Sequence, residues 1–399
     1  MSFLPVPAPL RLKKREDTRL QMGHLWIYSN EIDVAQTPLK HFQPGQLVVI
    51  ERHDGKALGL GYINPHTLLC ARLLTYGVAL TFDQTEIARR IQQALALRTA
   101  LFSKPFYRLI YAESDALPGL IVDRYDDILV VQITTYGMEL LQNQIIQALK
   151  QEINPRAILL RNDHGMRAVE GLPEYVQEAY GQVPKILTLE ENGVAFSISP
   201  WTGQKTGWFY DHRENRAQLS RYVSGKRVLD LFSYVGGWGI QAAVNGAKEV
   251  CSIDSSSQAL EMLQTNAVLN HVQDRVYTRQ GDVFAQLKAL NDSAEKFDVI
   301  IIDPPAFIKK RKDIAAGLIA YQRVNELAMR LLQKDGFLIS ASCSQHFTKE
   351  QLIQSVQAAG VKHKRLIQIV AQGHQAADHP VHPAIVETDY LKAVFCRVS

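Results

Sequence analysis

The strongest constraint on this chain lies in its C-terminal half, where short apolar runs alternate with longer amphipathic stretches from about Gly193 onward. Strand-like runs stand at Arg227–Phe232, Glu249–Ile253, Arg275–Arg279, Asp298–Ile302, Phe337–Ser342 and Leu391–Val398. Helical periodicity fills most of the gaps between them, as at Ser257–Leu269 and Ala315–Gln333. Such alternation predicts a doubly wound, mainly parallel α/β sheet, because parallel strands need crossover helices that cover both faces. In that architecture ligands bind beyond the carboxyl ends of the strands, where the strand order reverses. The residues just after each strand are therefore the candidates for function.

At 399 residues the chain is long enough for two or three domains. The reading here is three: residues 1–76, 77–190 and 191–399. The first holds short β-branched runs, Gln46–Glu51 and Ala57–Ile63, around an Asp54-Gly55 turn, and reads as a small β domain. The second mixes helical patterns at Glu86–Leu101 and Glu139–Ile153 with strand-like runs at Leu120–Asp123, Ile128–Ile133 and Ala157–Arg161, an α+β segment. The third is the alternating region.

The hydrophobic fraction of 46% supports a real core, and the net charge of +4 permits a polyanionic partner without requiring one. The N-terminal Met-Ser-Phe-Leu-Pro-Val-Pro lacks the pattern of a secretory signal. No apolar run approaches the ~18 residues of a membrane span. Cys70, Cys251, Cys343 and Cys396 are scattered, with no Cys/His cluster at metal spacing, so no metal and a reducing cytoplasm are expected. Cys251 and Cys396 fall within strands and read as small buried hydrophobes.

The first strand of the alternating region ends Asp230-Leu231-Phe232, and Ser233-Tyr234-Val235-Gly236-Gly237-Trp238-Gly239 follows. A glycine-rich turn lets the backbone approach a ligand closely, but the spacing is not Gly-x-Gly-x-x-Gly, which argues against a nicotinamide cofactor. A carboxylate at Asp230 is of little use beside a pyrophosphate and of direct use to the ammonium of a methionine-type ligand. Asp254 ends the second strand, where an acid can grip ribose hydroxyls, and Asp282 ends the third, positioned to meet an adenine. Each taken singly is as readily a helix cap. Three acids in strand order favour S-adenosylmethionine, with Phe232, Tyr234 and Gly236 in the loop beside it.

The fourth strand delivers Asp303-Pro304-Pro305-Ala306-Phe307, in which the prolines fix the backbone. Methyltransferases directed at exocyclic amines place an aromatic directly after the two prolines. Ala306 in that slot argues against such a target. The fifth strand ends Ser342-Cys343-Ser344, so Cys343 and Asp303 are expected at neighbouring strand ends. Carbon 5 of a pyrimidine is a poor nucleophile until a thiolate adds to carbon 6, which is the chemistry a thiol here would serve. Asp303 could then stabilise the protonated ring nitrogen of a cytosine. On chemistry alone, nucleophile and structural thiol stand level for Cys343.

These residues resemble the bacterial large-subunit rRNA cytosine carbon-5 methyltransferases with an N-terminal PUA domain, and the resemblance covers nearly the whole chain. It is carried by Gly23-His24-Leu25-Trp26-Ile27-Tyr28-Ser29-Asn30-Glu31-Ile32, by Glu113-Ser114-Asp115-Ala116-Leu117-Pro118-Gly119-Leu120-Ile121-Val122-Asp123-Arg124-Tyr125, and by Ala377-Asp378-His379-Pro380. The most specific stretch is Gly203-Gln204-Lys205-Thr206-Gly207-Trp208-Phe209-Tyr210-Asp211-His212-Arg213-Glu214-Asn215-Arg216. The resemblance implies a PUA-like RNA-binding β barrel, then an α+β domain, then a Rossmann-like methyltransferase domain. It implies cofactor-pocket roles for Thr206, Phe209, Asp211, Arg213 and Arg216, Cys343 as the nucleophile, S-adenosylhomocysteine as the product, 23S rRNA as the partner and a homodimer. Ala306 departs from the family, in which lysine is expected most often after the two prolines.

Lys309-Lys310-Arg311-Lys312 follows the Asp-Pro-Pro loop and would suit phosphate neutralisation, with a solvated surface loop the equal alternative. Pro304 and Phe307, with Lys309, Lys310 and Arg311, are the expected RNA contacts. Trp238 reads either as a base-holding ring or as core. Two other functions stay open: methylation of another base position, such as a guanine, with Cys343 structural, and a non-catalytic RNA-binding assembly factor.

Overall fold

The computed structural model describes residues 7–77 and 81–399. Residues 1–6 of the N-terminal stretch read as non-secretory, and residues 78–80 at the start of the second region, lie outside the described residues. The chain forms two compact units, each assembled from separated segments. The first comprises Met1–Lys185, Ser199–Trp208 and Asp378–Thr388, and the second Ile186–Ile198, Phe209–Ala377 and Asp389–Ser399.

The first unit contains two five-stranded sheets. One orders its strands Ala8–Arg11, Gln46–Glu51, Ala57–Ile63, Leu69–Tyr76, Trp26–Tyr28, and the turn at Asp54-Gly55 forms with Gly55 at φ +88°. The other orders them Tyr175–Tyr180, Ala157–Asn162, Ile128–Ile133, Leu120–Tyr125, Phe106–Tyr111. The helix expected at Glu86–Leu101 runs Gln84–Leu101, capped by Asp83, whose carboxylate accepts from Thr85 and Glu86 N–H. The helix expected at Glu139–Ile153 breaks into Tyr136–Leu140 and Gln142–Ile153.

Leu60, Tyr62 and Leu74 of the first sheet share one apolar core with Leu120, Val131 and Ile158 of the second. The Tyr62 hydroxyl bonds the Pro118 carbonyl and the Thr135 hydroxyl. A Cβ on Gly137 would lie 2.2 Å from the Tyr62 ring, so glycine is required there by close approach.

Charged groups hold the two later segments of this unit. The fully buried Asp123 carboxylate takes both Nε and Nη2 of Arg108 at 2.8 Å and the Thr206 hydroxyl. Asp378 accepts from the Arg108 N–H at 2.9 Å, its carbonyl accepts from Arg98, and its other carboxylate oxygen pairs with His379 Nδ1 at 2.8 Å. Asp378 and His379 of the Asp-His-Pro motif thus form a buried strut within the first unit.

The second unit carries a hairpin, Leu187–Glu191 and Val194–Ile198, and a seven-stranded sheet. Its strands are β1 (Arg227–Leu231), β2 (Glu249–Asp254), β3 (Val276–Gln280), β4 (Phe297–Ile302), β5 (Leu332–Ser342), β6 (Ile367–His374) and β7 (Lys392–Val398). The order is β3-β2-β1-β4-β5-β7-β6, with all pairings parallel except those of β7 to β5 and β6. The strand order reverses between β1 and β4. Val228, Leu229 and Leu231 of β1 and Val299 to Ile302 of β4 are fully buried, as parallel strands covered on both faces require.

Five helices follow the strands: α1 (Gly237–Val244), α2 (Ser257–Leu269), α3 (Val283–Asp292), α4 (Ile314–Leu331) and α5 (Lys349–Lys362). Ser256 caps α2, Asp282 caps α3, and Thr348 with Gln351 forms a capping box on α5. The sequence reading misses β6 because most of its residues are half or fully exposed, so it shows no continuous apolar run.

Replacing Arg108 by Met strips the fully buried Asp123 carboxylate of its bidentate partner and should cost about 3–5 kcal/mol. The urea transition followed by circular dichroism reads this loss. An unchanged midpoint would mean that the pair does not hold the first unit together.

Candidate active site

The loop after β1 is built from unusual backbone conformations. Phe232, Tyr234 and Gly236 take φ values of +61°, +50° and +92°. The left-handed region costs a non-glycine residue ~1–2 kcal/mol, so the surroundings must hold this loop in place. Asp254, at the end of β2, does part of that, since one of its oxygens accepts the Tyr234 N–H at 2.9 Å and the other the Ser256 N–H at 2.9 Å. The Tyr234 ring meets Phe209 edge-on at 5.6 Å.

Asp230 is fully buried. Its Oδ2 accepts the Gly239 N–H at 2.9 Å, while Oδ1 has no hydrogen-bond partner among the described residues. Burial pushes this carboxyl well above the usual range, the Gly239 bond opposes the rise, and the neighbouring Asp303 and Asp254 add to it. A Cβ on Gly239 would lie 2.7 Å from Ser252 Oγ and 2.8 Å from Asp230 Oδ2, so only glycine lets α1 start this close to the carboxylate. Ser252 Oγ and Ser233 Oγ are likewise buried without partners among the described residues. Unsatisfied polar groups around one acid, beneath a strained loop, fit a ligand that brings its own donors and positive charge. Asp282, at the far strand, is exposed and caps α3 through Ala285 N–H at 3.0 Å.

Asp303, just past β4, is arranged in the opposite way. His212 Nε2 lies 3.1 Å from its Oδ1, and Trp238 Nε1 donates to Oδ2 at 2.9 Å. Burial would raise this carboxyl, but attraction to His212 and the two hydrogen bonds outweigh it and hold Asp303 below its ordinary value. Trp238 is buried and serves this carboxylate, in edge contact with His212. Pro304 is buried and Pro305 exposed. Phe307 is half-buried among rings, 4.8 Å from Tyr321 and 6.1 Å from Phe232.

Cys343 directly follows β5 and is half-exposed, whereas Cys70, Cys251 and Cys396 are fully buried. Burial pushes the Cys251 thiol up to about 11 and those of Cys70 and Cys396 to about 12. The serines on either side of Cys343 are tied to one phenol: Ser342 Oγ donates to Tyr321 Oη at 2.7 Å, and Tyr321 Oη bonds Ser344 Oγ at 2.8 Å. Tyr321 in turn stacks on Phe347 at 4.0 Å.

The remaining predicted residues separate. Thr206 belongs to the first unit, where it serves Asp123. Phe209, Asp211, Arg213 and Arg216 belong to the second. Arg216 grips the buried Glu191 at 2.6 and 3.0 Å and also donates to the Phe209 carbonyl, while Arg213 lies 3.8 Å from Glu191. Asp211 accepts from the Tyr390 hydroxyl. Lys309, Lys310 and Arg311 are exposed and make no ion pair among the described residues. Sequence reasoning gave no role to His212, Glu191, Tyr390 or Lys392, because each acquires its partner only through the fold. Among the described residues no group of three or more His, Cys, Asp or Glu could hold a metal ion, and no helix is long and apolar enough to cross a membrane.

Comparison with known proteins decides the family. The chain is 35% identical over 394 residues to ribosomal RNA large subunit methyltransferase I of Shewanella frigidimarina, covering 98% of this chain and 99% of that one. The protein of that name from Tolumonas auensis is 37% identical over 393 residues, covering 97% and 98%. The chain belongs to the ribosomal RNA large subunit methyltransferase I family.

Family models for a PUA-like domain and for "Conserved hypothetical protein 95" match residues 10–76 and 215–364. The fold is also that of the methyltransferase SMU.776, solved in complex with SAH, with a TM-score of 0.84 at 20% identity over 98% of this chain and 100% of that one. A SAM-dependent methyltransferase from Streptococcus mutans gives 0.82 at 21%, with the same coverage. The expected architecture, a PUA-like N-terminal domain and a Rossmann-like methyltransferase sheet, is the one this family member has.

Asp230 yields a prediction with a definite sign. Its folded carboxyl titrates above the unfolded value of ~3.9, so the native state binds the extra proton. That contribution is present below the unfolded value and is lost as pH rises through the folded one. Asp230→Asn should therefore raise the thermal midpoint of the ligand-free protein at pH 7, with the advantage shrinking as pH falls toward ~4. The same change should weaken S-adenosylmethionine binding roughly 10- to 100-fold, as loss of a hydrogen bond to a charged group does. Calorimetry showing unchanged affinity would remove Asp230 from the cofactor site.

Proposed function

We propose that this protein transfers a methyl group from S-adenosylmethionine to carbon 5 of a cytosine in 23S rRNA, through a covalent bond to Cys343. The observation that carries the reading is the placement of Cys343. It is the half-exposed cysteine, it follows the strand paired with β4, and Asp303 follows β4 itself. The cradle of Asp230, Asp254 and the left-handed loop, with Asp282 at the neighbouring strand, supports S-adenosylmethionine, whose sulfonium supplies an electrophilic methyl when bound. Phe232, Tyr234 and Gly236 shape that loop, and Phe209 buttresses Tyr234. Arg213, Arg216 and Asp211 support the wall beside it through Glu191 and Tyr390.

The residues then divide the work. The Cys343 thiolate attacks carbon 6 of the base, forming an S–C6 bond and moving the electron pair to carbon 5. Asp303, held ionised by His212 and Trp238, accepts a hydrogen bond from the protonated ring nitrogen and stabilises that form. After methyl transfer a base takes the carbon 5 proton, the S–C6 bond breaks, and the thiolate is regenerated. The half-buried Phe307, behind the fixed Pro304, offers a ring edge to an unstacked base.

The decisive experiment uses rRNA fragments carrying 5-fluorocytidine, with S-adenosylmethionine, run on a denaturing gel. Fluorine blocks the last elimination, so a stable protein–RNA adduct is expected from the wild type and none from Cys343→Ala. Methylation of unmodified RNA by both proteins, without any adduct, would move the target off the pyrimidine carbon and favour another base position. If the protein neither methylates RNA nor binds S-adenosylmethionine, the assembly-factor reading takes its place.

The PUA-like region (1–76), the α+β region (77–190) and the methyltransferase region (191–399) would then share the RNA, with Lys309, Lys310 and Arg311 meeting phosphates near the reacting base. Replacing Lys309 and Lys310 together by Ala should reduce the slope of log affinity against log salt by ~0.7 for each cation lost. An unchanged slope would make the loop a solvated surface.

A further inference from the structure

Lys392 is the first residue of β7, and it is buried. In the antiparallel β5–β7 ladder it stands opposite Ser342, and on its other side it pairs with His374 of β6. Its ammonium donates to the Ser344 carbonyl at 2.6 Å and to the Tyr390 carbonyl at 2.9 Å. The lysine therefore brackets Cys343 along the chain, its backbone opposite the preceding residue and its ammonium on the carbonyl of the following one. An ammonium carries three N–H donors, and these carbonyls take two of them. Among the described residues Lys392 makes no ion pair. A buried ammonium without a carboxylate partner is costly, and such groups gather where a charge is put to use.

We propose that Lys392 is the positioning cation of Cys343, keeping its sulfur in the thiolate form that adds to the pyrimidine and orienting the chain around it. This rests on the reading of Cys343 as the nucleophile. The cation does not touch the base. It acts by lowering the energy of the sulfur anion, both before attack and when the S–C6 bond breaks and the electron pair returns to sulfur. No proton need leave Lys392 in either step.

Other titratable groups stand near the thiol. Tyr321 faces it from α4 and feels its charge, with the phenol pushed above its ordinary value by burial first and Cys343 among the further causes. Asp389 lies just before β7, and Asp303 directly follows β4. Burial lowers Lys392 to about 8, while attraction to Cys343 and Asp389 holds it up. Lysine and thiol are thus coupled, and each should report on the other.

The test is the pH dependence of Cys343 alkylation by iodoacetamide in the full-length protein, followed by peptide mass spectrometry. Half-maximal reactivity of the wild type should fall below the ~8.5 of an ordinary thiol. Lys392→Met should raise that midpoint by about one unit, a tenfold loss of rate at pH 7, and Lys392→Arg should restore most of it. A folded Lys392→Met protein with the wild-type profile would overturn the proposal.

Should Lys392→Met fail to fold, the reciprocal measurement decides. Removing the thiolate by Cys343→Ala should lower the Lys392 midpoint in competitive amine labelling, and an unchanged midpoint would equally overturn the proposal. Failure of the nucleophile reading is separate, because it appears as normal rRNA methylation by Cys343→Ala whatever the alkylation profiles show.

Discussion

The active edge of this protein depends on the pairing of β1 with β4. Their parallel ladder sets Asp230 beside Ile301 and Leu231 beside Ile302, so the chain leaves both strands at neighbouring points. The strand order reverses at this pair, the point at which a doubly wound sheet opens a crevice for ligands. The left-handed loop begins at Phe232 on one side and the proline-fixed loop at Asp303 on the other. Burial of nearly every apolar side chain in the two strands holds the ladder to one register, because a slip would carry that apolar surface out of the core.

On that frame two carboxylates, one fully buried and one half-buried, are driven in opposite directions by their surroundings. Asp230 has one backbone donor and a neighbourhood of other acids, so its ionised form is disfavoured until a cation arrives. Asp303 has an imidazole and an indole N–H, so its ionised form persists despite burial. Environments that push like groups apart assign them different tasks. In the proposed mechanism one acid receives the charged ligand and the other accepts a hydrogen bond. The thiol completes the set from β5, bracketed by the serines that Tyr321 ties together and by the cation on β7.

Much of this was legible in the sequence because strand ends are. Asp230, Asp254, Asp282, Asp303 and Cys343 each stand at or just past the end of a strand, and a doubly wound sheet brings such positions to one edge whatever the details of packing. The same logic separates Cys251 and Cys396, which lie inside strands and are fully buried. The motif Ala377-Asp378-His379-Pro380 was equally visible, but no role could be read from it. Its function comes from Arg98 and Arg108, remote in sequence, which hold Asp378 in the first unit.

By itself the sequence determined the alternation of strand and helix, the glycine-rich turn after β1, the fixed loop after β4 and the position of each candidate acid and thiol relative to a strand end. These are local properties, set by periodicity, by the allowed backbone angles of glycine and proline, and by the boundary between apolar and polar residues. Only the tertiary structure decided the partners. The antiparallel return of β7 delivers Lys392 to the Ser344 carbonyl, the segment ahead of β1 carries His212 to Asp303, and a separate hairpin supplies Glu191 to Arg216. A charge's effect depends on separation and on exclusion of water, and neither is written into the order of residues along the chain.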